Sequence, residues 1–338
     1  MEKKMLANYN LLRILAIFLV ISTHMLSGVW IADPASQSMA WHVREIIHTA
    51  ALSCNGLFFM LSGRFILERF DGNIPAFYWK RFVKIGIPAI CAGLLYYIQL
   101  HGFSLSISYF KDFLKAFLQI QIVGYLWFVM ALAGFYLAAP FLSRMLNCLN
   151  KKELYWLLGG AVVYFLIQSL YGIFSMEPPM EAYIFTNWGF YCILGFLLDR
   201  MELTSRQTAG FLAAGLLGFI LISVQEIWFT GQNPAVYTFD PSMIFLCIGI
   251  YLLVTRFGTA VSRHLEGPIN TISRYIFFVY LFHGLTHNFI FDYLVEPGIP
   301  GYGAWLLLTL LSFFMALALS IPVYHLLYQP MCKLLLRK

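Results

Sequence analysis

Apolar runs recur along the chain at membrane-crossing length, separated by short polar segments. The stretches 9–30, 46–67, 83–101, 124–146, 154–174, 185–199, 208–229, 240–255, 271–291 and 303–328 are predominantly apolar. Most hold roughly 17–25 residues, the length a helix needs to cross ~30 Å of hydrocarbon. None alternates strictly over ten residues, as the strands of a membrane β-barrel do. Inside a bilayer every backbone polar group must be satisfied internally, which leaves helices. The pattern therefore predicts an all-α fold: a polytopic integral membrane helical bundle of about ten transmembrane helices, forming one domain over 1–338.

Two shorter patterns add detail. Between Tyr109 and Ile120, the residues Phe110, Phe113, Leu114 and Phe117 recur at helical spacing while Lys111, Asp112, Lys115 and Gln119 fall elsewhere. This predicts a helix lying flat at the outer interface. Gly210, Ala214 and Gly218 stand four apart and predict close helix packing in the seventh span.

The placement of charge orients the bundle. Alternate loops hold Arg69, Lys80, Arg81 and Lys84; Arg144, Lys151 and Lys152; Arg200 and Arg206; and Arg256 and Arg263, with Lys333, Arg337 and Lys338 after the last span. The intervening loops carry only Arg44, Lys111 and Lys115, and those at 175–184, 230–239 and 292–302 carry no Lys or Arg. The positive-inside rule puts the cation-rich loops and both termini in the cytoplasm.

Composition agrees. Of 338 residues, 60% are hydrophobic and 11% charged, far below the quarter a soluble domain carries. The net charge of +6 is spread over interhelical loops and forms no basic stripe for a nucleic-acid backbone, so no nucleic-acid partner is expected. Six cysteines, Cys54, Cys91, Cys148, Cys192, Cys247 and Cys332, show no CxxC spacing and read as small buried apolar residues. The first apolar run contains Arg13 and His24 and lacks a clear small-residue cleavage site, so it reads as a retained helix.

Ionisable residues inside spans are costly and call for a reason. Arg13 and His24 are about three turns apart on nearly one face, roughly 16 Å along the axis. On position alone Arg13 reads equally as a side chain snorkelling to the interface. His24 reads either as a polar residue satisfied between helices or as a base in a dry pocket. At the end of span two, Asn55 and Ser62 flank an apolar run and Arg64 adds a cation. Lys80, Arg81 and Lys84 follow at the start of span three. Lys and Arg at a cytoplasmic helix end are common topology signals. Clustered at one depth, Arg13, Arg64, Arg81 and Lys84 would also hold a phosphorylated ligand. His283 and His287 stand four apart in span nine, with no carboxylate or thiolate completing a ligand set, so no metal is expected. His48 lies near the outer start of span two. Trp127, at the outer start of span four, reads as an interfacial anchor.

Taken in order, these residues resemble the acyltransferase family 3 membrane proteins. The marks are Arg13-Ile-Leu-Ala-Ile-Phe-Leu-Val-Ile-Ser-Thr-His24, Phe58-Phe59-Met60-Leu61-Ser62-Gly63, Lys80-Arg81-Phe82-Val83-Lys84, Leu126-Trp127-Phe128 and Tyr280-Leu281-Phe282-His283. Any one is weak, but five in order over the whole chain are strong. Within the family the chain resembles the short members, such as the enterobacterial common antigen O-acetyltransferase. The chain departs from the family at Asn10, where an Asp is usual, at Arg64, where an aromatic is usual, and at Lys84, where an Arg is usual. The resemblance implies an O-acyltransferase of the inner (plasma) membrane with no permanently bound cofactor. Its donor would be an acyl-CoA, acetyl-CoA first among them, and its acceptor a glycan or lipid-linked glycan, among membrane lipids. His24 would act as general base or as an acyl-histidine relay. Arg13 would serve the donor or helix packing. Arg64, Lys80, Arg81 and Lys84 would bind the donor, and Asn55, Ser62, Trp127 and His283 would face the substrate. The rival class is a small-molecule transporter using the buried His and Arg, but the sequence shows neither inverted repeats nor paired broken helices. A sensor or anchoring module would come attached to a soluble domain, and the sequence shows none.

Overall fold

A computed structural model describes residues 2–29, 38–173, 187–228, 239–295 and 302–336, which are helical with no strand among them. In chain order the helices are α1 (Glu2–Val29), α2 (Met39–Leu52), α3 (Cys54–Leu67), α4 (Ile74–Arg81), α5 (Ile87–His101), α6 (Ile107–Leu118), α7 (Trp127–Cys148) and α8 (Lys151–Ile173). There follow α9 (Trp188–Arg200), α10 (Ser205–Trp228), α11 (Pro241–Phe257), α12 (Thr259–His264), α13 (Glu266–Ser273), α14 (Ile276–Tyr293), α15 (Tyr302–Val323) and α16 (Gln329–Leu335). Among the described residues, six helical stretches are long and apolar enough to cross a membrane: Leu6–Ser27, Met39–Leu67, Ile74–His101, Gly124–Cys148, Ser205–Ile227 and Ala304–Leu335. Pro241–Phe257 is apolar but shorter. Large apolar side chains such as Leu216, Leu217, Leu307 and Phe314 point outward from α10 and α15, as lipid-facing residues do. The protein is a helical membrane protein.

The α1 helix is the hub. Leu12, Ala16, Ile17, Val20 and Ile21 are buried at helical spacing, and α1 packs against α2, α3 and α11–α15. Small residues set the tightest contacts. A Cβ on Gly63 would run into the Cys192 carbonyl, and one on Gly195 into the Met60 carbonyl, so α3 and α9 touch backbone to backbone. Gly63, the last residue of the Ser-Gly mark, is thus a packing residue.

Details depart from the sequence pattern. Span two is two helices, broken at Ser53, whose N–H bonds back to the Ala50 carbonyl. Span nine begins at Ile276 rather than 271, because a turn at Arg274–Tyr275 separates α13 from α14. In α10 the close approach is made by Gly215 against Gly249 and by Gly218 against the Ser242 carbonyl, while Gly210 faces open space. The row touching α11 is therefore spaced by three, not four. On α6, Phe113 and Phe117 are buried, but Phe110 and Leu114 are exposed. The helix therefore presents one apolar line to the bundle and another outward. The loop at 175–184 and most of those at 230–239 and 292–302 lie outside the described residues.

A basic basin and an imidazole cluster

Two places in the bundle gather the residues singled out above. The first lies where α4 meets α5. Pro88 has no N–H, and in an α-helical register its ring would meet the carbonyl of Lys84. The chain instead runs through a π-helical turn at Phe82–Gly86, closed by a bond from Ile87 N–H to the Phe82 carbonyl. Such turns are rare and recur at functional sites. A second lies at Tyr324–Tyr328, again two residues ahead of a proline, Pro330. The α16 helix that follows returns against α4, and Trp79 Nε1 donates to the Leu335 carbonyl (3.0 Å).

Between these segments opens a basin of about 600 Å³ lined by Arg69, Lys80, Arg81 and Lys84, with Asp71 as the one carboxylate. That volume lies within the range of small-molecule sites. The Arg81 guanidinium sits 5.0 Å from the Phe77 ring and 5.5 Å from that of Tyr136, and its Nε is buried without a hydrogen-bond partner. Among the described residues no carboxylate forms an ion pair with any of the four cations.

Arg13 and Arg64 stand outside this basin. Arg13 Nη1 donates to Asn10 Oδ1 (2.7 Å), Asn10 Nδ2 donates to Asn270 Oδ1 (2.8 Å), and the guanidinium lies over Phe65. Asn10 thus supplies the hydrogen bond, though not the charge, that a carboxylate there would supply. Arg64 forms ion pairs with Glu68 and Asp199, and Asp199 also accepts from the Tyr9 hydroxyl. Its charge is answered within the protein.

The second place lies in the half of the bundle where α1 ends. The His24 ring is 5.3 Å from that of His283 and 6.2 Å from those of Tyr125 and His287. Tyr125 lies 4.6 Å from His283 and 5.7 Å from Tyr96. Local structure fixes each member. After α6 the chain turns at Ile120, held at φ 58, a conformation a β-branched residue rarely adopts. A 3₁₀ turn at Gly124–Leu126 then delivers Tyr125 to the start of α7. The Tyr280 hydroxyl donates to the Tyr125 carbonyl. A Cβ on Gly284 would strike the Tyr125 hydroxyl, so only glycine admits that ring. Tyr96 donates to the Leu281 carbonyl (2.9 Å) and accepts from Leu285 N–H (3.1 Å), tying α5 to α14.

The histidines are set up differently. His283 Nδ1 lies 2.5 Å from the Tyr280 carbonyl. A carbonyl only accepts, so Nδ1 carries the proton and Nε2 is left free; Nε2 is buried and unpartnered. The Tyr125 hydroxyl is likewise buried and makes no hydrogen bond of ordinary geometry, with the Tyr96 hydroxyl beside it. His24 is half-buried and makes none of the hydrogen bonds among the described residues, unlike a polar residue satisfied between helices.

The remaining candidates fall elsewhere. Ser62 Oγ donates to the Phe58 carbonyl of its own helix (2.9 Å). Asn55 is half-buried in the first turn of α3. Trp127 packs 5.1 Å from Trp188, which stacks on Phe59 at 4.9 Å, so it belongs to an interior aromatic cluster rather than anchoring an interface alone. Sequence reasoning passed over Tyr125, although it stands next to Leu126-Trp127-Phe128, and gave no signal for Tyr96 or Trp188. Lys84 in the π turn and Tyr96 on α5 are twelve residues apart, about 18 Å at the rise of an α-helix, which gives the scale of the separation between the basin and the imidazole cluster.

The acyltransferase family 3 model, described as an acyltransferase domain, matches residues 6–325. No curated protein and no solved structure matches the chain. A match running from the first turns of α1 to the π turn after α15 covers the four cations of the basin and the whole imidazole cluster, and the chain belongs to the acyltransferase family 3 membrane proteins.

Proposed function

We propose that the protein is a ten-span O-acyltransferase of the plasma membrane, moving an acyl group, acetyl in the first instance, from acyl-CoA to a hydroxyl of a cell-surface or lipid-linked glycan. The observation that carries this reading is the pairing of two unfulfilled sites. Among the described residues, one is a basin of four cations around a single carboxylate that pairs with none of them; the other is an imidazole that makes no hydrogen bond. Phosphates of the donor would pair with Arg81, Lys80, Lys84 and Arg69, with Arg81 positioned by its aromatic neighbours. The donor's arm would then run about 18 Å along α5 toward Tyr96.

There His24 takes the acceptor's hydroxyl proton as the oxygen attacks the thioester carbonyl. The tetrahedral intermediate collapses with loss of the CoA thiolate, which recovers the proton from His24. The Tyr125 hydroxyl, unpartnered in the resting protein, is the donor available to the developing oxyanion. His283 Nε2 is placed to accept a hydrogen bond from substrate or water. Arg13, three turns away, holds α1 to α3 and α13 through Phe65 and Asn10.

The test is transfer from radiolabelled acetyl-CoA to candidate glycans by the purified protein. His24→Ala and His24→Gln are expected to stay folded and to bind CoA, with transfer reduced at least about a hundredfold, the lower end of what a positioned base contributes. A fully active His24→Gln protein would remove the mechanism, since an amide cannot take the proton. The two-sided arrangement has its own check. A reporter after Lys338 is expected in the cytoplasm and one at Pro178, which lies outside the described residues, on the other side; both on one side would undo it.

A further inference from the structure

A second polar cluster, outside the proposed acyl-transfer site and independent of it, joins α2 to α10. Glu45 and His48 stand three apart on one face of α2, and Glu226 lies in the last turn of α10. All three are buried, at 8%, 7% and 8% exposure. Burying two carboxylates and an imidazole in a membrane bundle is costly unless they are paired or hold a metal ion.

Their arrangement leaves room for a metal ion. Each carboxylate has one oxygen held from outside the cluster and one turned to His48. Glu45 Oε1 is paired with Arg44, and Oε2 lies 3.8 Å from His48 Nδ1. Glu226 Oε2 accepts from the Thr49 hydroxyl (3.0 Å), which is equally close to the Glu45 carbonyl, and Oε1 lies 3.7 Å from the same Nδ1. Both inward contacts exceed the 2.7–3.2 Å of a hydrogen bond. Accordingly His48 Nδ1 and Glu226 Oε1 are buried without hydrogen-bond partners. Both contacts are within the reach of an ion pair with a protonated imidazole, and they are also close to those of a metal site. Ligand atoms ~2.0–2.2 Å from a tetrahedral ion stand ~3.3–3.6 Å apart, a contraction of a few tenths of an ångström from the two distances to His48, with the carboxylates closing further on each other. The three ligand atoms lie within 4.8 Å of one another.

We propose that Glu45, His48 and Glu226 form a binding site for one divalent transition-metal ion of the zinc class, fastening α2 to α10. One imidazole nitrogen and two carboxylate oxygens suit zinc, and a fourth position is left for water. The two carboxylates and Arg44 together carry one net negative charge, so a dication with hydroxide in the fourth position would bring the site to neutrality. Arg44 and Thr49 are the outer partners that fix the two carboxylates, as partners of metal ligands commonly do. The sequence gives little sign of this, since Glu45 and His48 are far along the chain from Glu226.

The test uses the full chain, purified in detergent without a polyhistidine tag, stripped with chelator, reloaded with Zn²⁺ and desalted. Mass spectrometric metal analysis is expected to find one zinc per wild-type chain. It should find none above background in His48→Gln or Glu226→Gln. Thr49→Val, which leaves all three ligands, is expected to bind with affinity at least about tenfold weaker. Cobalt-loaded wild type is expected to show the intense visible absorption of a tetrahedral centre, a readout that stands even if a ligand variant fails to fold. Wild type that retains no zinc and gives no such spectrum overturns the proposal, including the case where its melting temperature depends on pH as an imidazolium–carboxylate cluster would make it. So does zinc retained equally by wild type and both ligand variants.

Discussion

The basic basin and the imidazole cluster are both built from unsatisfied groups, but of opposite kinds. In the basin the unsatisfied groups are charges: four cations around one carboxylate, at the end of the bundle where Lys and Arg gather. In the cluster they are neutral lone pairs and hydroxyls packed among aromatic rings. A charged site at an interface gives up little stability when empty, because water and counter-ions reach it. The unpartnered His283 Nε2 and Tyr125 hydroxyl have no such relief, and each buried orphan costs about 1–3 kcal/mol. The surrounding packing must supply that stability. It does so through contacts with no chemistry of their own: Tyr96 bridging α5 to α14, Gly284 making room for Tyr125, and Gly63 and Gly195 letting α3 and α9 touch. Binding and chemistry are therefore separable by mutation, and Tyr125→Phe and Arg81→Ala should each affect one place and leave the other alone.

The largest effect is expected inside the cluster. Tyr125→Phe keeps the ring against Gly284 and His283 and removes only the unpartnered hydroxyl. Loss of one preorganised donor to an oxyanion costs about 10²–10³-fold in rate. Transfer is expected to fall by that much, with CoA affinity by calorimetry and thermal stability unchanged or slightly improved. If activity is retained, the hydroxyl is a packing accident and the oxyanion is met by another group.

Next in size is the reverse test in the basin. Arg81→Ala is expected to weaken CoA binding about 10–100-fold, the worth of one or two hydrogen bonds to a charged group. The rate at saturating donor should stay near that of wild type. The same measurement on Arg64→Ala separates the two arginines. Arg64 is already engaged by Asp199 and Glu68, so its loss should lower the melting temperature and leave CoA affinity alone. Equal loss of CoA affinity in both variants would mean that the Arg64 ion pairs open when donor binds.

The legibility of these features follows from how local each one is. The helices were readable because lipid forces apolar runs of a set length. The Arg13–His24 spacing was readable because both lie on one helix, where periodicity fixes direction. Contacts between distant segments were not. Arg64 stood out as a cation at the right depth, but its partner Asp199 sits on α9 and nothing in the local pattern points to it. His24 and His283 were both singled out, yet their approach to 5.3 Å depends on α1 and α14 packing side by side. Tyr125 was invisible for another reason. A tyrosine near a span boundary has an ordinary role at the interface, and only the turn at Ile120 carries it inward. The glycine row of α10 was misread by one step, since spacing by three and by four both place small residues on one face.

The smallest effect is expected at Ser62, and it tests whether the Ser-Gly mark belongs to either place. The sequence reading put Ser62 against the substrate. In the structure its hydroxyl bonds the Phe58 carbonyl one turn back (2.9 Å), a bond that serine readily makes within helices and that contributes little to stability. Nothing about that hydroxyl is left unfulfilled, in contrast to Tyr125 or His283. Its neighbour Gly63 is the residue under steric constraint, with the Cys192 carbonyl where a Cβ would go. Ser62→Ala is therefore expected to change transfer rate, CoA affinity and melting temperature only slightly, rate and affinity within about twofold, or under ~0.5 kcal/mol. Gly63→Ala should separate α3 from α9 and lower stability sharply. A tenfold loss of transfer in Ser62→Ala with the fold intact would show that the hydroxyl turns from its own helix to the substrate, and would extend the cluster along α3.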